Sequence, residues 1–383
     1  MASRPPHFAV VGAGPAGCYA VQQLLLRSPD ATIDVYEQRA HPYGLLELGV
    51  APDHPGTKAV RRQFERALAS PRVSVHLNAP VSRAGLQQLR ERTSGVVLAA
   101  GAAAERVHPV AQAVGERAVT GSDVAAWANG VTTPTLGRWR TGSHVVVIGS
   151  GNVALDVARI LGAQATGTAL PGLAASAAPL GPIVGVHLVS RADAAHGPFS
   201  PSQLRELTDY GLVLASRTSD GSAPALEGDA RARCETVAAL PVAPTAHVAP
   251  LSLHLSTVVR RDPADPTSVV LVGPDGTSVV PDASVVSAIG FTNEPGPHDR
   301  EHTARVLAEL PPGPASVVRV GWARSGGRGN LATARRDGVA AAVDLTAAAH
   351  AACQPASSSP SELVLAGRQP AHPQPSDDAF RED

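Results

Sequence analysis

The stretches FAVVGAGPAGCYAVQQLLL, starting at Phe8, and HVVVIGSGNVALDVARIL, starting at His144, repeat one pattern. Each runs from an apolar segment through a glycine-rich turn into helical periodicity, which is how a β-α-β unit of a parallel sheet begins. In the first, Gly12, Gly14 and Gly17 fit G-x-G-x-x-G. Gly12 permits the tight turn, Gly14 lets a pyrophosphate approach the backbone, and Gly17 brings helix and strand close together. The N–H groups at the helix start then meet phosphate charge. Glu37 closes the next apolar run, where a carboxylate accepts hydrogen bonds from ribose hydroxyls. The second turn, Gly149-Ser150-Gly151-Asn152-Val153-Ala154, fits G-x-G-x-x-A. Its following strand, VGVHLVS, is succeeded by Arg191 and not by a carboxylate. A cation there suits a 2′-phosphate, so NADP is expected, with NAD left open. Two units predict two dinucleotides.

The intervening pattern supports an α/β chain of two such domains. Residues 8–13 read as a buried strand, 16–27 as a helix and 31–37 as the next strand; 61–70 look helical, 73–78 extended, and 95–101 a strand closing the first block. A second block opens near Ala111 and reaches its own β-α-β over 144–190. Residues 162–183, rich in Ala, Gly and Pro, read as an irregular insertion, and the Pro- and Ser-rich end from about Gln354 as a loosely ordered tail. An N-terminal dinucleotide fold with a second inserted after it is the layout of two-dinucleotide flavoproteins, with FAD on the first fold and the nicotinamide on the second.

Composition narrows the class. The length of 383 residues favours two domains, and a net charge of -1 gives no pointer to nucleic acid or a membrane surface. No apolar run reaches the ~18 residues of a membrane span, and the N-terminus moves straight into a strand, so a cytoplasmic protein is expected. The three cysteines, Cys18, Cys234 and Cys353, form no CxxC, which disfavours a dithiol-disulfide enzyme and a metal cluster. Lys58 is the only lysine among 32 cationic residues, which fits a coding bias towards arginine.

Beyond the glycine turns the chain resembles ferredoxin–NADP reductases of the adrenodoxin-reductase type. GAGPAGCYAVQQLL, YGLLELGVAPDHP (43–55), GSGNVALDVARIL (149–161), AIGF (288–291) and GWARSGGRGNLATARRDG (321–338) occur in family order. The resemblance spans roughly residues 8–350 and thins across 162–183 and 215–282. It implies two Rossmann-like dinucleotide-binding domains with the FAD domain discontinuous: residues 7–105 and 311–350 for FAD, 106–310 for NAD(P), and 351–383 as the tail. It assigns Gly12, Gly14, Pro15, Ala16, Gly17, Glu37, Leu45, Gly101, Trp322, Gly329, Asn330 and Leu331 to FAD. Gly149, Gly151, Asn152, Val153 and Arg191 fall to NADP, and His54 and Asp156 to proton handling at the redox centre. Read without the family, His54 is a turn histidine and Asp156 a helix-surface acid.

Three departures from the family stand out. Arg191 is followed by Ala192 and Asp193 where a second arginine is common, Gln203 replaces a glutamate, and Glu47 occupies a usual arginine position. The first expectation for function is an enzyme that passes hydride from NAD(P)H to FAD and single electrons to a ferredoxin-type partner. That partner, being acidic, would dock on Arg61, Arg62, Arg324, Arg328, Arg335 and Arg336. Glu47 motivates an alternative in which the flavin acts directly on a small molecule of a specialised pathway. A non-catalytic flavin-bearing subunit is a third reading, disfavoured by the intact glycines and the His54/Asp156 pair.

Overall fold

The strands His7–Val11, which leads into the first glycine turn, and Gly95–Leu98 beside it are buried on both faces, and they centre a five-stranded sheet. In this computed structural model, which describes residues 5–215, 226–242, 249–294 and 316–353, the order is Ser316–Arg319, Gly95–Leu98, His7–Val11, Thr32–Tyr36, Val73–His76, parallel throughout. Helices cover both faces of such a sheet, so its central strands read as unbroken apolar runs and not as alternating ones. The edge strand Ser316–Arg319 returns from far along the chain, so the first α/β domain is discontinuous. Helix Leu331–Cys353 follows it and packs along Pro15–Arg27. Gly338 makes that contact possible, because a Cβ there would lie 2.8 Å from the Ala16 carbonyl oxygen.

The second sheet has six parallel strands, ordered Ala118–Thr120, Ala283–Ser287, His144–Ile148, Gly185–Val189, Leu251–His254, Leu212–Leu214. An antiparallel meander, Val258–Arg261, Val269–Gly273 and Gly276–Val280, covers part of it. In both sheets the glycine-turn strand lies where the direction of winding reverses, and a crevice opens at the carboxyl ends of such strands. The strands end one to three residues short of the apolar runs. The irregular insertion begins later than expected: helix Asn152–Thr166 continues through Leu161 and Ala163, which are buried, and ends on the left-handed Gly167. The expected tail lies outside the described residues apart from the end of the last helix. Among the described residues no helix is long and apolar enough to cross a membrane.

Three histidines join adjacent strands of the second sheet, His187 lying 3.2 Å from His144 and 3.2 Å from His254. Burial pushes His187 down to about 3 and His254 to about 4, so both are neutral at ordinary pH. The two domains are joined through a two-stranded antiparallel link, Ala104–Glu105 against Phe291–Thr292. This link places the two crevices side by side.

Candidate functional site

The two glycine turns prove to be the same device. Gly12 has φ +101°, and a Cβ there would lie 2.3 Å from the carbonyl oxygen of Ala99; Gly149 has φ +127°, with its Cβ 2.2 Å from that of Ala288. Only glycine fits either place. Gly17 is held against the turn itself, where an added Cβ would lie 2.0 Å from the Gly12 oxygen, while its counterpart Ala154 keeps a fully buried methyl group. The middle glycines differ in kind. A Cβ on Gly14 or Gly151 would meet nothing within 4 Å, and the helix that each precedes has no side-chain cap. Unsatisfied N–H groups facing open space are what an anionic ligand needs at a helix start.

A cavity of about 600 Å³ runs from the first turn to the second domain. Gly12, Gly14, Pro15, Ala16, Glu37, Leu45, Gly101, Trp322, Gly329, Asn330 and Leu331 all line it; Gly17 does not, being committed to helix-strand packing. Glu37 is buried, its Oε2 accepting from the Ala13 N–H at 2.9 Å and its Oε1 from that of Arg39 at 3.0 Å. The carboxylate is thereby fixed at the strand end where a ribose is expected. Trp322 donates its Nε1 hydrogen to the Gly329 carbonyl at 3.0 Å and packs its ring 4.7 Å from that of Phe291. Asn152, Val153, Asp156 and Gln203 form the opposite wall. Gly149, Gly151 and Arg191 lie outside this lining, on the second crevice.

Where the domains meet, the structure gathers more than the expected pair. His54 Nε2 lies 3.0 Å from Asp156 Oδ1, and both residues line the cavity. The hydrogen bond that His54 makes to the Asp156 carboxylate raises its pKa against the opposing effect of burial. Beneath them is Arg159, only 2% exposed. Its guanidinium grips Asp53 through Nε (2.6 Å) and Nη2 (3.0 Å), and also donates to Asp156 Oδ1 at 2.8 Å. Asp53 and His54 come from the first domain; Asp156 and Arg159 stand one helical turn apart on Asn152–Thr166. The i, i+3 spacing in DVAR was visible in the sequence, but nothing there told which acid Arg159 would meet. Lys58 adds a second clasp across the same boundary through the Asn129 side chain. Glu105, on the link strand, accepts from the Ser122 N–H at 3.3 Å, and burial raises it to about 7.

The departures acquire physical meaning. Glu47 is paired with Arg61, whose Nη1 reaches both its carboxylate oxygens at 2.8 and 3.0 Å while its Nε donates to Glu65 at 2.8 Å. Arg61 thus leaves the set of docking cations, as does Arg324, paired with the buried Asp337 at 2.6 Å. Asp193 turns away to His196 at 2.8 Å. Gln203 presents a buried Oε1 with no partner in the cavity wall.

Residues 6–209 match the family model described as pyridine nucleotide-disulphide oxidoreductase. The chain belongs to this family. Within it, the chain is 36% identical over 208 residues to cindoxin reductase of Citrobacter braakii, covering 53% of this chain and 45% of that protein. It is 34% identical over 211 residues to the mitochondrial NADPH:adrenodoxin oxidoreductase of Drosophila melanogaster, covering 52% and 44%. The chain thus spans about half the length of the curated relatives it matches. The solved structure of Mycobacterium tuberculosis FprA in complex with NADPH superposes with a TM-score of 0.75 and 25% identity, covering 91% of this chain and 85% of that one. The family name mentions a disulphide, yet Cys18 is a free thiol in the core, its pKa driven upward by burial, and Cys234 is also free. Neither is placed for dithiol chemistry.

Proposed function

We propose that the chain is a flavoprotein reductase that takes hydride from NADPH onto FAD and delivers single electrons to a ferredoxin-type protein. The observation that carries this reading is one cavity bounded by the first glycine turn, by the helix after the second, and by the His54/Asp156 pair between them. The first turn fits FAD: Gly14 is open, the helix start is uncapped and Glu37 is fixed at the strand end. When bound there, FAD would supply the change from two-electron to one-electron chemistry. The protein's part is to orient and to handle protons. Trp322 and the backbone of Gly329–Leu331 would hold one face of the ring system, and Gly101 and Leu45 would border it. Asn152 and Val153 would seat the nicotinamide half, with Gly149 and Gly151 admitting its pyrophosphate. His54, poised by Asp156, would give or take a proton as the redox state changes.

Arg191 is exposed and forms no ion pair among the described residues, which leaves it available to a 2′-phosphate. As a single arginine it supports a milder preference for NADP than a pair does, and NAD remains a usable cofactor. Relatives named cindoxin reductase and adrenodoxin oxidoreductase support a ferredoxin-type acceptor, and a cytoplasmic setting belongs to the same reading. The docking charges reduce to Arg62, Arg328, Arg335 and Arg336, exposed and without ion pairs among the described residues. Because Glu47 is tied to Arg61 and is not an unpaired acid, the charge reversal that motivated direct action on a small molecule loses part of its force.

Docking of two charged proteins is screened by salt, whereas entry of a small dye is not. Raising ionic strength is therefore expected to slow NADPH-driven ferredoxin reduction far more than dye reduction by the same FAD-loaded protein. If no ferredoxin is reduced at any ionic strength while an organic substrate is turned over rapidly, the direct flavoenzyme takes the place of this reading.

A further inference from the structure

Arg159 Nη2 stands at hydrogen-bond distance from three acceptors: 3.0 Å from Asp53 Oδ1, 2.8 Å from Asp156 Oδ1 and 2.9 Å from His54 Nε2. That nitrogen carries two hydrogens. His54 Nε2 is itself 3.0 Å from Asp156 Oδ1, so it has one partner that only accepts and one that only donates. The hydrogen count decides between them. With a hydrogen on Nε2, three hydrogens serve the two carboxylates: Nε2–H and one Nη2–H go to Asp156, and the other Nη2–H goes to Asp53. With Nε2 bare, two hydrogens must serve three acceptors, and one charge-assisted bond in a buried cluster is lost.

We propose that Arg159 is a positioning residue which, by serving Asp53 and Asp156, keeps the hydrogen on His54 Nε2 and confines proton exchange to Nδ1. Loss of a proton from the imidazolium then leaves the neutral Nε2–H form and frees the Nδ1 lone pair. Nδ1 has no hydrogen-bond partner among the described residues, so it is the nitrogen free to meet a proton from the cavity that His54 lines. The charges around the ring are Asp53 on its own loop, Asp156 and Arg159 on the next domain's helix, and Glu206, 3.4 Å from Arg159 Nη1. Two carboxylates, Asp156 buried and Asp53 partly so, against one guanidinium favour the imidazolium.

This inference rests on His54 as the proton-handling group, but its test does not require turnover. Nitrogen-15 NMR of the histidine-labelled, FAD-loaded protein reports which ring nitrogen is protonated, and loss of a signal in His54→Gln assigns the residue. Above its pKa, wild-type His54 is expected as the Nε2–H form by about tenfold or more, the equivalent of one charge-assisted bond. Free histidine also leans this way, so the decisive variant is Asp156→Ala. There the released Nη2 hydrogen donates to Nε2, and His54 should switch to the Nδ1–H form. Adding Arg159→Gln should abolish the switch. An Nδ1–H form in wild type, or no switch in a folded Asp156→Ala protein, overturns the role of Arg159. If Asp156→Ala does not fold, Asp156→Leu is expected to show the same switch to Nδ1–H, and the wild-type tautomer in it overturns the role of Arg159. Failure of the ferredoxin assay with these tautomers intact would sink the function and spare the assignment.

Discussion

Gly14→Val is expected to give a protein that folds and melts like wild type but cannot be loaded with FAD. A Cβ at this position meets nothing within 4 Å, and the residue's φ of -72° is open to any L side chain. The isopropyl group therefore does not disturb the fold; it fills the space where a pyrophosphate must reach the helix start. Losing two charge-assisted N–H contacts there amounts to roughly 3 kcal/mol or more, above a hundredfold in affinity. Gly12→Ala sharpens the comparison. That residue combines φ +101° with a carbonyl 2.3 Å from the added carbon, so its substitution should impair folding itself. Flavin absorbance after reconstitution with excess FAD, measured beside the thermal midpoint, separates the two effects. A Gly14→Val protein as yellow as wild type would remove the pyrophosphate from this turn.

Asp53→Ala should be among the most destabilising single substitutions in the chain. It strips the bidentate partner from Arg159, whose side chain is 2% exposed, and leaves a buried cation short of charge. Breaking a buried pair in this way costs about 3–5 kcal/mol. Glu206→Ala removes a contact from the same guanidinium, but at 3.4 Å and from a side chain 50% exposed. Solvent screens such a pair, and about 0–1 kcal/mol is expected. Equal shifts of the unfolding midpoint in the two variants would show that Arg159 is not anchored through the Asp53 loop. Since Asp53 and Arg159 belong to different domains, the same substitution should also loosen the hold of His54 on Asp156.

The glycine turns were legible in the sequence because their requirement is local. The backbone must turn sharply beside a carbonyl, and Gly12 and Gly149 meet that demand with no help from distant residues. The discontinuous first domain could be expected from the family motif around Trp322, although no local pattern shows that Ser316–Arg319 pairs with Gly95–Leu98. The pairing of Asp53 with Arg159 and of Glu47 with Arg61 was not legible. Each depends on which side chain lies opposite across a domain boundary or on a neighbouring helix, and charge spacing along the chain does not fix that. The 162–183 insertion starts later than its composition suggests for a related reason. Gly162 and the following alanines look like loop, but burial of Leu161 and Ala163 carries the helix to Thr166.

If the repeated turns hold two dinucleotides close enough to react, anaerobic titration of the FAD-loaded protein with NADPH shows it most directly. Stoichiometric NADPH should bleach the flavin absorbance in wild type, and His54→Gln should change the pH dependence of the bleaching rate. A protein that holds FAD and binds NADPH, yet keeps its full flavin absorbance without oxygen, would contradict that arrangement.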